Sequence, residues 1–223
     1  MPIFSINNKR VLFIHIPKTG GTSIENWLSN FGEMQFYQPG IPTFMKCTPQ
    51  HLTFNDINVL FGADYFDLIF AVVRNPYERL VSEYIFRTAG QLKTFKKRVD
   101  FSDWLMLHLT KAKQNKHHFD NHLRPQTDFV NEQMKVFKLE NGLEEVIEYL
   151  KSALKIKSTK KIPQLNKSKA KKDLIWSVEV RNEVNQFYRN DFLQLQYEMT
   201  TPKIKLPKTH RVPNTPKKIK QSN

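Results

Sequence analysis

Residues 11–28, VLFIHIPKTGGTSIENWL, constrain the fold more than any other stretch of the chain. An apolar, β-branched run from Val11 to Ile16 has the pattern of a buried strand. Pro17 ends it, because proline cannot donate to a ladder and fixes its own φ. Lys18, Thr19, Gly20 and Gly21 then make a short turn, and Thr22 and Ser23 open a helix whose apolar positions are Ile24, Trp27 and Leu28. The glycines permit backbone angles and close approaches that a side chain would forbid. A tight strand-to-helix turn leaves unpaired N–H groups at the positive end of a helix dipole, here flanked by a lysine and hydroxyls. That is an anion site, most simply a cradle for phosphate or sulfate.

A second unit repeats this order. The run DLIFAVV, Asp67 to Val73, is another buried strand; it stops at Arg74-Asn75-Pro76 and gives way to a helix carrying Tyr77, Leu80, Val81, Tyr84 and Ile85. Two strand–turn–helix units with continuously apolar strands predict an α/β fold with a central parallel sheet flanked by helices. Between them lies a looser stretch, Met34 to Pro49, with a short strand expected around Thr43–Cys47. A helix follows, opened by Thr53 and Asp56 at capping-box spacing and closed by Gly62. Further on, the pattern predicts a helix over Phe101–Leu109, a polar connector with His117, His118 and His122, a strand at Val136–Leu139, and helices over Leu143–Leu154 and Leu174–Phe187. The expected organisation is one domain over 1–200 and a basic Pro/Lys-rich tail over 201–223, mobile for want of apolar residues.

The charge balance of 35 Lys+Arg against 21 Asp+Glu, +14 over 223 residues, points to anionic partners without saying which. The single cysteine, Cys47, excludes an internal disulfide. No apolar run reaches the ~20 residues of a membrane span. The opening MPIFSINNKR lacks the order of a signal peptide, so a cytoplasmic location is expected.

In the second unit Arg74 falls at the carboxyl end of a parallel strand, where α/β sheets place ligands, and Ser82 lies two helical turns on, roughly 12 Å along the axis. An arginine and a hydroxyl aimed at one point can hold a phosphate. Together, PKTGGTS and RNPYERLVSEY resemble the sulfotransferases that use 3′-phosphoadenosine 5′-phosphosulfate (PAPS), especially the carbohydrate branch that includes the heparan sulfate 2-O-sulfotransferases. The stretches PQLNKS and YRNDFLQL also look like features of that family. The resemblance implies a P-loop-NTPase-like three-layer fold. It implies that Lys18, Thr19, Gly20, Gly21, Thr22 and Ser23 bind the 5′ end of PAPS, and that Arg74 and Ser82 bind the 3′-phosphate. A Walker-A ATPase, the nearest physical rival, needs its lysine after the glycines, whereas Lys18 precedes them.

Sulfuryl transfer requires charge stabilisation on the departing phosphate, the role the resemblance implies for Lys18, and a base for the attacking hydroxyl. His51 is the first candidate base: HLTFNDINVLFG resembles the stretch around the catalytic histidine of the 2-O-sulfotransferases, although Gln50 and its neighbours stand where those enzymes carry a further histidine. His122, in HLRPQTDFV, is the second candidate, for chemistry or acceptor binding, with Arg124 beside it for an acidic group on the acceptor. His118 and His122 are four apart, but Pro125 and the lack of a cysteine nearby argue against a metal, and none is expected. His15 fits a satisfied core histidine. Asn166, Lys167 and Ser168, in a lysine-dense segment, either close over the nucleotide's 3′ end or contact an anionic acceptor, or else belong to a solvated connector. The expected acceptor is a carbohydrate hydroxyl on a glycan, polysaccharide or glycolipid. Two alternatives stand beside this reading: a family member that binds the nucleotide without turnover, and a basic protein that binds nucleic acid or an anionic surface. The second lacks any RNA-recognition, helix-turn-helix or zinc motif.

Overall fold

In the computed structural model, which describes residues 2–95, 99–162, 174 and 176–200, the chain opens with a hairpin. Strand β1 (Ile3–Ile6) pairs antiparallel with β2 (Lys9–Ile14), Ile6 opposite Lys9. The two-residue turn is Asn7-Asn8, both at positive φ (48° and 62°). That left-handed pair matches the twist of the flanking strands, and asparagine tolerates it better than most residues. The alternating IFSI-NN-KRVLFI is the local signal for this hairpin.

β3 (Glu33–Gln35) pairs antiparallel with β1, while β4 (Leu68–Val73) and β5 (Lys135–Lys138) continue parallel from β2, giving the order β3-β1-β2-β4-β5. The sheet is therefore mixed: its β2-β4-β5 half is parallel as expected, and its other half is antiparallel. Thr43–Cys47 forms no strand; the short strand lies ten residues earlier, where β1 offers a free edge.

The alternation of side chains along the strands divides the core between two faces. Val11, Phe13, Phe70 and Val72 turn toward α1 (Gly21–Leu28) and α5 (Leu143–Leu154), and the Phe13 and Phe70 rings stack at 4.8 Å. Leu12, Ile14, Ala71 and Val73 turn toward α2 (Phe54–Phe61) and the connector around Phe129. Burial on both faces is why these strands read as unbroken apolar runs. The Thr53–Asp56 capping box is fully formed, and Gly62 ends α2 at φ 75°.

The remaining helices, α3 (Pro76–Phe95), α4 (Phe101–Gln114), α6 (Val178–Phe187) and α7 (Arg189–Gln194), share a third apolar cluster with Leu123. α4 is longer than its apolar period predicted. α6 begins only at Val178, because the Ser177 side chain accepts from the Val180 amide and caps it there. Asn166, Lys167 and Ser168, and the segment 201–223, lie outside the described residues. Among the described residues, no helix is long and apolar enough to cross a membrane.

Candidate active site

β2 and β4 are parallel neighbours in register, Ile14 opposite Ala71, so the loops leaving their carboxyl ends emerge side by side. In the first loop Lys18 has φ 69° and Gly20 has φ 89°. Left-handed backbone costs roughly 1–2 kcal/mol at a lysine and nothing at a glycine. Gly21 meets a different need. A Cβ there would come 2.2 Å from Nε2 of His15, so this imidazole can lie against the helix start only because the side chain is missing. Thr19 spends its hydroxyl inside the turn, donating to Ile16 O at 2.8 Å. No side chain caps α1. An anion cradle here therefore rests on the first amides of α1 and on Lys18 rather than on the Thr19 hydroxyl. Thr22 is exposed and Ser23 buried.

Arg74, the first residue beyond β4, reaches across and donates from Nη1 to Lys18 O at 3.2 Å. Its Nη2 lies 3.5 Å from Glu78 Oε2. The two basic loops meet. The Lys18 ammonium lies 4.0 Å from the centroid of the Phe86 ring, a cation–π contact. Burial lowers its pKa, Glu83 opposes the fall, and Arg74 and Arg87 add to it. Ser82 is half-buried on α3.

Beside these loops stand two histidine–carboxylate pairs. His51 Nδ1 lies 2.7 Å from Asp120 Oδ2, and His122 Nδ1 lies 2.7 Å from Glu83 Oε2. An ionised carboxylate only accepts, so in each neutral ring Nδ1 carries the proton and Nε2 keeps its lone pair. The two rings meet edge to face at 5.0 Å, and His122 stacks on Phe86 at 6.0 Å. Burial pushes the His51 pKa down to about 4, against the pull of Asp120. Burial also lowers that of His122, with Glu83 opposing. Glu83 is fully buried, which alone would raise its pKa, but His122 and Arg87 bring it down to about 2. Asp120 is fixed by Thr48, whose amide and hydroxyl donate to its two oxygens at 2.6 and 2.9 Å. It sits in the middle of three consecutive left-handed residues, Phe119, Asp120 and Asn121. Such a run is strained, and it turns the carboxylate onto a histidine 69 residues away.

His15 is a satisfied buried histidine, its Nδ1 2.5 Å from Glu25 Oε1, with its ring edge-on to His51 at 5.3 Å. Gln50 donates to both Glu25 oxygens, at 2.9 and 3.0 Å, and so belongs to the wall behind His51. His118 and His122 do not come together: His118 Nε2 faces His108 Nδ1 at 2.9 Å. Arg124 is engaged by Asp128, at 2.7 Å. His51, Asp120 and His122 each offer an atom within 4.8 Å of the others, a spacing a cation could share. Both Nδ1 atoms face carboxylates, which leaves each Nε2 lone pair open, an arrangement that suits a base and a ligand alike. Cys47 is buried, its thiol pushed up to about 11 mainly by that burial, which disfavours the thiolate.

The residue that joins these parts is Arg79, which the reading of the sequence does not single out. It is buried on α3 and donates to three backbone carbonyls: Pro17 from Nε (3.0 Å), Arg124 from Nη1 (2.9 Å) and His122 from Nη2 (2.8 Å). One guanidinium thus ties the lysine loop to the segment carrying His122. Arg79→Met leaves those carbonyls without donors. It is expected to cost about 3 kcal/mol or more of stability, read as a lowered urea midpoint with an unchanged slope.

The fold and site define an α/β protein in which adjacent strand ends carry two touching basic loops beside two histidine–carboxylate pairs. A sequence model of the sulfotransferase family matches residues 2–198 of the 223, and the chain belongs to that family. It is accordingly a transferase of sulfur-containing groups. No curated protein and no solved structure matches it.

Proposed function

We propose that the protein transfers the sulfuryl group of PAPS to a hydroxyl of a carbohydrate acceptor, on a P-loop-like three-layer domain spanning 1–200. The observation that carries the reading is the contact between Arg74 Nη1 and Lys18 O. It brings the Arg74 guanidinium against the backbone of the lysine loop, so that two basic loops stand together at the carboxyl ends of β2 and β4, as suits a nucleotide with phosphates at both its 3′ and 5′ ends. The turn Lys18–Ser23 takes the 5′-phosphosulfate, and Arg74 with Ser82 the 3′-phosphate. The acceptor oxygen attacks sulfur in line, its proton passes to Nε2 of His51, and the sulfur–oxygen bond to the 5′-phosphate breaks. Charge on the departing oxygen is met by Lys18. Asp120 holds His51 in the required tautomer and steadies the imidazolium that forms. His122, backed by Glu83, lines the acceptor side and is the second candidate base. Arg124 reaches an acidic acceptor group by exchanging Asp128 for it.

The test is transfer of radiolabelled sulfate from PAPS to a panel of glycans. Saturable transfer to at least one supports the reading, and none, with PAPS intact, overturns it. The pH dependence is a sharper check. His51 acts as a base only unprotonated, and burial holds its conjugate acid near 4. Activity is therefore present above that pH and lost as pH falls through it. The acid limb of kcat/KM is expected near pH 4–5, well below the ~6.5 of an ordinary histidine. A limb at 6.5 or above removes buried His51 from the role.

A further inference from the structure

An arginine recognises a phosphate only as well as its stem is fixed, and Arg74 stands where the sheet can no longer fix it. β4 ends at Val73, and the last register pair with β5 is Val73 opposite Lys138. The backbone of Arg74 is instead held by one side chain. Gln126 Oε1 accepts from Arg74 N at 2.9 Å, and Gln126 Nε2 donates to Arg74 O at 2.7 Å. This is the two-bond pattern that a neighbouring strand would supply, delivered by a primary amide.

Gln126 is fully buried and is itself held by a fully buried carboxylate, Asp191 of α7. Asp191 Oδ2 accepts from Gln126 N at 2.9 Å and lies 3.3 Å from Gln126 Nε2. Its Oδ1 accepts from the amide and the hydroxyl of Thr127, both at 3.0 Å. An apolar side chain at 126 would leave two backbone groups of Arg74 unpaired, and one at 191 would release the amide that pairs them. The burial of a carboxylate in an otherwise apolar helix cluster is costly unless its lone pairs are filled, and here they are.

We infer that Gln126, locked by Asp191, is the positioning residue that aims Arg74 and so sets the preference for a nucleotide bearing a 3′-phosphate. The inference rests on the PAPS reading. It assigns discrimination to a side chain that touches the arginine rather than the ligand.

Calorimetry on the full chain with adenosine 3′,5′-bisphosphate and with adenosine 5′-monophosphate separates the two claims. In the parent, the bisphosphate binds tighter; equal affinity for both overturns the PAPS reading and the inference with it. In Gln126→Ala, affinity for the bisphosphate is expected to fall about 10-fold or more while that for the monophosphate stays within about 2-fold, so the preference collapses. Asp191→Asn keeps the shape of the carboxylate but loses its charge, and is expected to shift the same ratio by about 3-fold or more. It serves as the second variant should Gln126→Ala fail to fold. An unchanged ratio in a folded variant of either kind, or an equal loss for both ligands, overturns the inference while leaving the parent's preference intact. In turnover the same variants raise the KM for PAPS with kcat held, which a general loss of structure would not do.

Discussion

Lys18→Ala is expected to lower kcat about 100- to 1,000-fold, the loss typical of removing one donor aimed at developing charge. The ammonium is not left as a free surface charge: its backbone is left-handed at φ 69°, and its head sits against the Phe86 ring. Glu83 opposes the fall in its pKa that burial and two neighbouring arginines cause. Lys18→Arg is not expected to restore activity, since a planar fork cannot occupy the place of a compact ammonium in this turn. Circular dichroism distinguishes the chemical effect from unfolding. A folded alanine variant with kcat within about 3-fold of the parent would remove Lys18 from the reaction.

His51→Ala should lower kcat by about 100- to 10,000-fold while nucleotide affinity holds, because a general base acts on the acceptor and not on the donor. Its geometry supports the assignment. Asp120 fixes the tautomer, Thr48 fixes Asp120, and Asn121 donates to the His51 carbonyl at 2.8 Å. Asp120→Asn is expected to reproduce part of the loss, since an amide oxygen can still accept a hydrogen bond from Nδ1–H but carries no charge to steady an imidazolium. His122→Ala is the control with a definite reading. A smaller fall in kcat with a raised acceptor KM agrees with an acceptor-side role. A larger fall than that of His51→Ala moves the base to the His122–Glu83 pair, which is built on the same plan only 5.0 Å away.

Much of this site was written locally. PKTGGTS announces a strand-to-helix turn because Pro17 must end a ladder and glycine must follow where φ is positive or an imidazole presses close. Arg74 and Asn75-Pro76 mark a strand end, and His51 stands just before a capping box that forms as its spacing predicts. Each of these signals depends on residues within four or five positions of one another, the range over which backbone hydrogen bonding and capping operate. The Asn7-Asn8 hairpin was equally local, and with it the β1–β2 pair, whereas the pairing of β3 with β1 sets Ile3 opposite Gln35 and is not local.

What the linear chain does not carry is which groups meet once the elements pack. Asp120 finds His51 across 69 residues, Glu83 finds His122 across 39, and Arg79 closes on Pro17 across 62. No period or motif encodes those encounters, because each is fixed by how α3 and the 115–125 connector lie against the sheet edge. The sequence alone determined that two basic loops leave a buried sheet and that histidines follow them. The tertiary packing decided which carboxylate orients which imidazole, since a side chain's partner is set by distance in space and by the burial that makes an unpaired charge too costly to keep.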